Sequence, residues 1–150
     1  MRYYGSWVAG VVALWVTAAV VGAQGSMKAE DLDRIMKRDG PAQQALVKAV
    51  IAGNVAAAKT QVAALQSGLN ESQKFWVAYK RNDAIEINKT VQTKLSNVAK
   101  LLDAPNFNSE AVTAAVQDMN KSCTECHRIY RVQDDDGRFV LKPGSVKLTL

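Results

Sequence analysis

From Asn108 to Tyr130 the chain reads NSEAVTAAVQDMNKSCTECHRIY, and the spacing of its apolar residues decides the fold. Val112, Val116, Met119, Cys123, Cys126 and Tyr130 follow one another at intervals of four, three, four, three and four. Such intervals bring side chains onto one face of an α-helix, because 3.6 residues complete a turn. Asn108 precedes the run with a side-chain oxygen suited to capping the orphan N–H groups of the first turn. The spacing therefore predicts one helix with one buried stripe, and it places both cysteines on the buried side.

Working back from that helix, three more segments carry matching stripes. Ile87, Val91, Leu95, Val98 and Leu102 form a face that Asn82 or Asp83 caps at its start and Ala104-Pro105 ends. Val55, Ala58, Val62, Leu65, Leu69, Ser72, Trp76 and Tyr79 alternate at three and four after Asn54, a bundle seam interrupted at Gly68 and Ser72. The first segment starts near Ala29 with Leu32, Ile35 and Met36. Proline lacks an N–H and disfavours helical geometry in the residue before it, so a break or kink is expected at Gly40-Pro41 before Leu46 and Val50 carry the stripe on to Gly53. Four such helices with short connections predict an all-α fold, an antiparallel up-down-up-down four-helix bundle whose fourth helix is C-terminal. Beyond Val132, Asp134-Asp135-Asp136-Gly137 followed by Arg138 to Leu141 reads either as a small hairpin or as an unstructured tail.

The length of 150 residues suits one ordinary domain with one core. Arg2, the apolar run from Trp7 to Val21 and the small residues Val21-Gly22-Ala23 together read as a secretory signal peptide over residues 1–23. The run is shorter than the roughly 20 residues a membrane span takes. Export is expected, to the periplasm if the source is bacterial, with no membrane attachment after cleavage. The mature domain then spans 24–132 and a tail 133–150. The whole chain carries 19 basic and 14 acidic residues, a net charge of +5. With Lys and Arg scattered over every helix, that modest charge suits docking on acidic partner proteins, and no basic block or glycine-rich phosphate loop suggests nucleic acid or nucleotide.

Cys123-Thr124-Glu125-Cys126-His127 matches C-x-x-C-H, the attachment signature for c-type haem. Residues three and four apart share a helical face, so both thiols and the imidazole turn to one side. Two thioethers can then form along one porphyrin edge while the adjacent imidazole reaches the iron. A redox dithiol and half of a zinc site are the competing readings. The first belongs near a βαβ pattern, and a structural zinc site takes four ligands, whereas the chain has two cysteines and one histidine. One covalently attached haem c is the expected cofactor.

An exported four-helix chain with C-T-E-C-H on its last helix, followed by Tyr130 and Arg131, resembles the class II c-type cytochromes: cytochrome c-prime and its low-spin methionine-ligated relatives. The resemblance covers about residues 28–132 and rests mainly on the C-terminal position of the motif. Phe75-Trp76, Asp83-Ala84 and the C-H-x-x-Y-R pattern of Cys126 to Arg131 add weaker support. The Gly40-Pro41 interruption and the 18 residues after Val132 are departures from the family pattern. The resemblance implies that the distal ligand of a low-spin member comes from the first helix.

His127, the one histidine, is the expected proximal ligand. The sixth position then falls to methionine, lysine, water or nothing. Of the methionines, Met1 leaves with the signal peptide, Met27 sits at the mature N-terminus and Met119 shares the face of the haem-bearing residues. Met36 remains, either as iron ligand or as core filler. Arg131, four residues after His127, either pairs with a haem propionate or is a solvated arginine favoured by the helix dipole. Trp76 and Tyr79 are core residues first and haem contacts second. With no evident catalytic acid, base or nucleophile, the expected function is electron carriage with redox partner proteins, not enzyme activity. A five-coordinate haem that binds a diatomic gas is the alternative, and a homodimer is compatible with either.

Overall fold

The structure is a computed structural model that describes residues 27–146. The expected signal peptide over residues 1–23 and the end of the tail, 147–150, lie outside the described residues. Four helices, α1 (Ala29–Ile51), α2 (Val55–Ala78), α3 (Asn82–Asp103) and α4 (Ser109–Tyr130), precede a small hairpin of β1 (Arg131–Gln133) and β2 (Phe139–Leu141). The connections 52–54, 79–81 and 104–108 are too short for anything but antiparallel neighbours. Each helix packs on its neighbours in sequence, and α1 closes the ring against α4 along the loosest of the four seams. The fold is an antiparallel four-helix bundle. Among the described residues, no helix is long and apolar enough to cross a membrane.

The expected interruption of α1 at Gly40-Pro41 does not occur. The helix runs through both residues, which are exposed, while Ile35, Asp39, Ala42 and Leu46 on the opposite face are buried. Pro41 therefore forfeits its N–H on the solvent side of a helix held by tertiary packing. Gly40, having no Cβ, escapes much of the clash that keeps residues before proline out of helical geometry. Asn54 and Asn108 cap α2 and α4, their side chains accepting from Ala57 and Ala111 N–H at 3.0 Å. The expectation for α3 needs correction: Arg81, not Asn82 or Asp83, holds its N-cap position, and it makes no side-chain cap bond.

Two helix ends share one solution. After α1, Gly53 N–H donates to Val50 and Asn54 N–H to Ala49; after α2, Lys80 N–H donates to Val77 and Arg81 N–H to Trp76. Both are Schellman turns, which require a left-handed residue, Gly53 at φ +67° and Lys80 at φ +52°. Of the two tail readings, the hairpin is the one observed. Its strands pair antiparallel with Arg131 opposite Leu141, and Gly137 supplies φ +78° in the turn. Lys142 N–H donates to the Tyr130 carbonyl at 2.7 Å, which ties the tail to the end of α4.

The core divides into two clusters. Leu46, Val50, Ala58, Leu95, Val98, Val112 and Val116 fill one half of the bundle, and Leu32, Phe75, Trp76, Ala84 and Tyr130 the other. Because a left-handed conformation costs a residue with a Cβ about 1 kcal/mol or more, Gly53→Ala is expected to lower the stability by about 1 kcal/mol. Lys80→Gly should raise it by a similar amount, and urea unfolding monitored by helical circular dichroism checks both signs.

Candidate cofactor site

Between the two clusters lies a cavity of about 780 Å³, in the size class that encloses a small-molecule ligand. All four helices line it, and the hairpin closes one side with Gly137, Phe139, Val140 and Leu141. The α4 wall presents Cys123, Cys126 and His127, and the α1 wall presents Leu32, Met36, Asp39 and Gln43. Met119, Leu65 and Val91 add further apolar surface. The three residues of the C-x-x-C-H motif and Met36 thus border one space from different helices.

All four of these side chains are half-buried. Neither cysteine is in a disulfide. Burial pushes both thiols up, Cys126 to about 11, so they stand as thiols and not as the low-pKa thiolates of a dithiol oxidoreductase. Burial, assisted by the positive charge of Arg131, lowers the pKa of His127 and keeps its imidazole neutral, the form that ligates a metal. Among the described residues, no group of three or more His, Cys, Asp or Glu side chains could hold a bare metal ion. The donor set fits a group that brings its own equatorial ligands and needs two thiols along an edge, one imidazole and one thioether. A haem is such a group.

Part of the wall is polar, which the sequence reading missed. Asp39, Ser72 and Asn88 line the cavity and are all buried. Ser72 Oγ donates to the Leu69 carbonyl at 3.0 Å, and Asn88 Nδ2 donates to the same carbonyl at 2.9 Å and to Gln73 Oε1 at 2.6 Å. The Asn88 bonds join α3 to α2 beside the cavity. Asp39 is 8% exposed and receives one side-chain bond, from Arg38 Nε at 3.3 Å. A Cβ on Gly68 of α2 would collide with both carboxylate oxygens. The glycine that interrupts the α2 seam, unfavourable by about 1 kcal/mol in a helix, is thus the notch that admits this carboxylate.

Arg131 is the C-cap residue of α4 and the first of β1, and its guanidinium lies 4.1 Å from the centre of the Phe139 ring. It borders the cavity but is exposed and stacked on the hairpin. One turn from the motif, Tyr130 is buried against Trp76, with ring centres 4.6 Å apart. Its hydroxyl donates to Asp83 Oδ2 at 2.5 Å; Arg81 also donates to Asp83, at 3.1 Å, and to the Ser145 carbonyl. The α2–α3 turn, the end of α4 and the tail are pinned together there. Tyr79, by contrast, packs on Phe75, with ring centres 4.6 Å apart, and is not among the residues that line the cavity. Phe75 is fully buried although it falls outside the three-four seam, and only its adjacency to Trp76 hinted at that.

Hydrogen bonds from Arg81 and Tyr130 hold Asp83 down at about 2, against an ordinary carboxylate value of 3.8. A depressed acid contributes stability that is present above its unfolded value and is lost as pH falls through the folded one. Asp83→Asn is therefore expected to lower stability at neutral pH and to flatten its loss between about pH 4 and pH 2, so that the two chains converge in acid. The effect is small because the carboxylate is half exposed, and acid titration of helical circular dichroism in both chains measures it.

Comparison of the chain with protein-family models, with curated proteins and with solved structures finds no significant match in any of the three.

Proposed function

We propose that the protein is an exported monohaem c-type cytochrome, periplasmic in a bacterial source, that carries electrons between partner proteins. One observation carries this reading: Cys123, Cys126 and His127 of α4 border the same cavity as Met36 of α1. A haem bound there supplies a one-electron Fe(III)/Fe(II) couple. Cys123 and Cys126, protonated and half-buried, stand to add to the two vinyl groups. His127, neutral and held on the last turn of α4, would hold the iron through its imidazole. Met36 of α1 would offer it a soft thioether, which favours the ferrous state. Leu65, Val91 and Met119 line the site with apolar surface, and the hairpin borders its outer side. The net positive charge favours partners with acidic surfaces.

Expression with a cytochrome maturation system followed by acidic acetone extraction tests the attachment. Replacing Cys123 and Cys126 together by Ala is expected to release all haem, whereas retention by that double variant would overturn the reading. The ligand assignment separates electron carriage from gas binding. Met36→Leu keeps the volume while deleting the sulfur, so it should turn a low-spin spectrum high-spin and open the distal face to carbon monoxide. A wild type that is already high-spin and binds carbon monoxide readily would make this a gas-binding haem protein instead.

A further inference from the structure

Within the cavity wall, one buried charged group has no role in the attachment or ligation of a haem. Asp39 is the one buried charged residue among the described residues, and it lies where α1 faces α2 and α4. Its seat is built: Gly68 gives up a side chain to admit it, and Ser72 and Asn88 continue the polar strip. Its compensation is incomplete. Arg38 reaches it at 3.3 Å from a half-exposed position and is drawn off by Glu71 of α2 at 3.1 Å. From α4, Cys123 faces Asp39 as a neutral thiol, and Lys94 of α3 lies in the field of that same cysteine. A buried carboxylate so weakly paired is costly unless a positive charge stands on its open side, and its open side is the cavity.

Resting on the haem reading above, we propose that Asp39 is the buried counter-charge of the ferric cofactor. The centre of such a cofactor, Fe(III) within a porphyrin dianion with neutral imidazole and thioether ligands, would carry one net positive charge, the peripheral propionates aside. Uptake of one electron from a donor protein cancels it. A carboxylate in the wall therefore favours the oxidised state, and its removal favours the reduced one. Burial, opposed by Arg38 and aided by the charge of Glu71, pushes the carboxyl up to about 6, so the group is ionised at pH 8.

The test is a potentiometric titration at pH 8 of the haem-loaded full chain. Asp39→Asn keeps the shape and deletes the charge; at a fixed ambient potential it should raise the ferrous-to-ferric ratio about tenfold, a midpoint shift of about +59 mV. Arg38→Gln removes the competing cation and should shift the midpoint the other way. Opposite signs from two neighbours are not what a packing defect produces. With absorption spectra matching wild type, an unchanged midpoint in Asp39→Asn, or shifts of the same sign in both variants, overturns the assignment. If Asp39→Asn fails to fold, the sign in Arg38→Gln decides alone. Wild type that matures without covalent haem overturns the functional reading itself, a distinct outcome seen in the first spectrum.

Discussion

A four-helix bundle of this size that leaves about 780 Å³ open between its helices forgoes packing that a core of its length could make. Everything else in the molecule arranges itself around that space. It divides the apolar core into two clusters, one built on Leu46, Leu95 and Val116 and the other on Phe75, Trp76 and Tyr130. It coincides with the loose seam between α1 and α4, and its walls hold the three motif residues and Met36. A bundle that places a large apolar ligand there recovers the missing contacts, since whatever binds the native state stabilises it.

The ends of the site are fixed by polar chemistry instead. Arg81, Asp83 and Tyr130 fasten the last turn of α4 to the start of α3, and the Tyr130 carbonyl and Arg81 guanidinium hold the segment after the hairpin. The loose seam and the pinned end are complementary. On the proposed reading, α4 is tied down where it would hold Cys126 and His127 in register, and the helices stand apart where a planar group would enter.

How much of this was legible follows from which forces act locally. The four helices were readable because each carries a three-four stripe over most of its length, and the Asn54 and Asn108 caps because their side chains act within one turn. Cys123, Cys126 and His127 were readable because the motif's spacing is itself a helical spacing. The break at Gly40-Pro41 was misjudged because local geometry was weighed without the burial of Ile35, Asp39 and Leu46 on the far face. Asp83 looked like a cap by sequence, yet its carboxylate serves Arg81 and the distant Tyr130. Asp39 and Asn88 gave no signal, since a polar residue on a helix reads as a solvated position until the opposing helix is in place, and Ser72 was legible only as an interruption of the α2 seam. Gly68 was the nearest to a clue: a glycine inside a seam marks a close approach, and the carboxylate it admits lies on another helix.

The central claim is that the cavity holds one haem joined to the chain through Cys123 and Cys126. Intact-mass spectrometry of wild-type protein matured in the periplasm, followed by digestion, tests it most directly. The account predicts one species heavier than the processed chain by a single haem, with that mass carried on the peptide containing Cys123 to His127. A processed chain of unmodified mass, recovered under conditions in which a known c-type cytochrome is fully loaded, would contradict it.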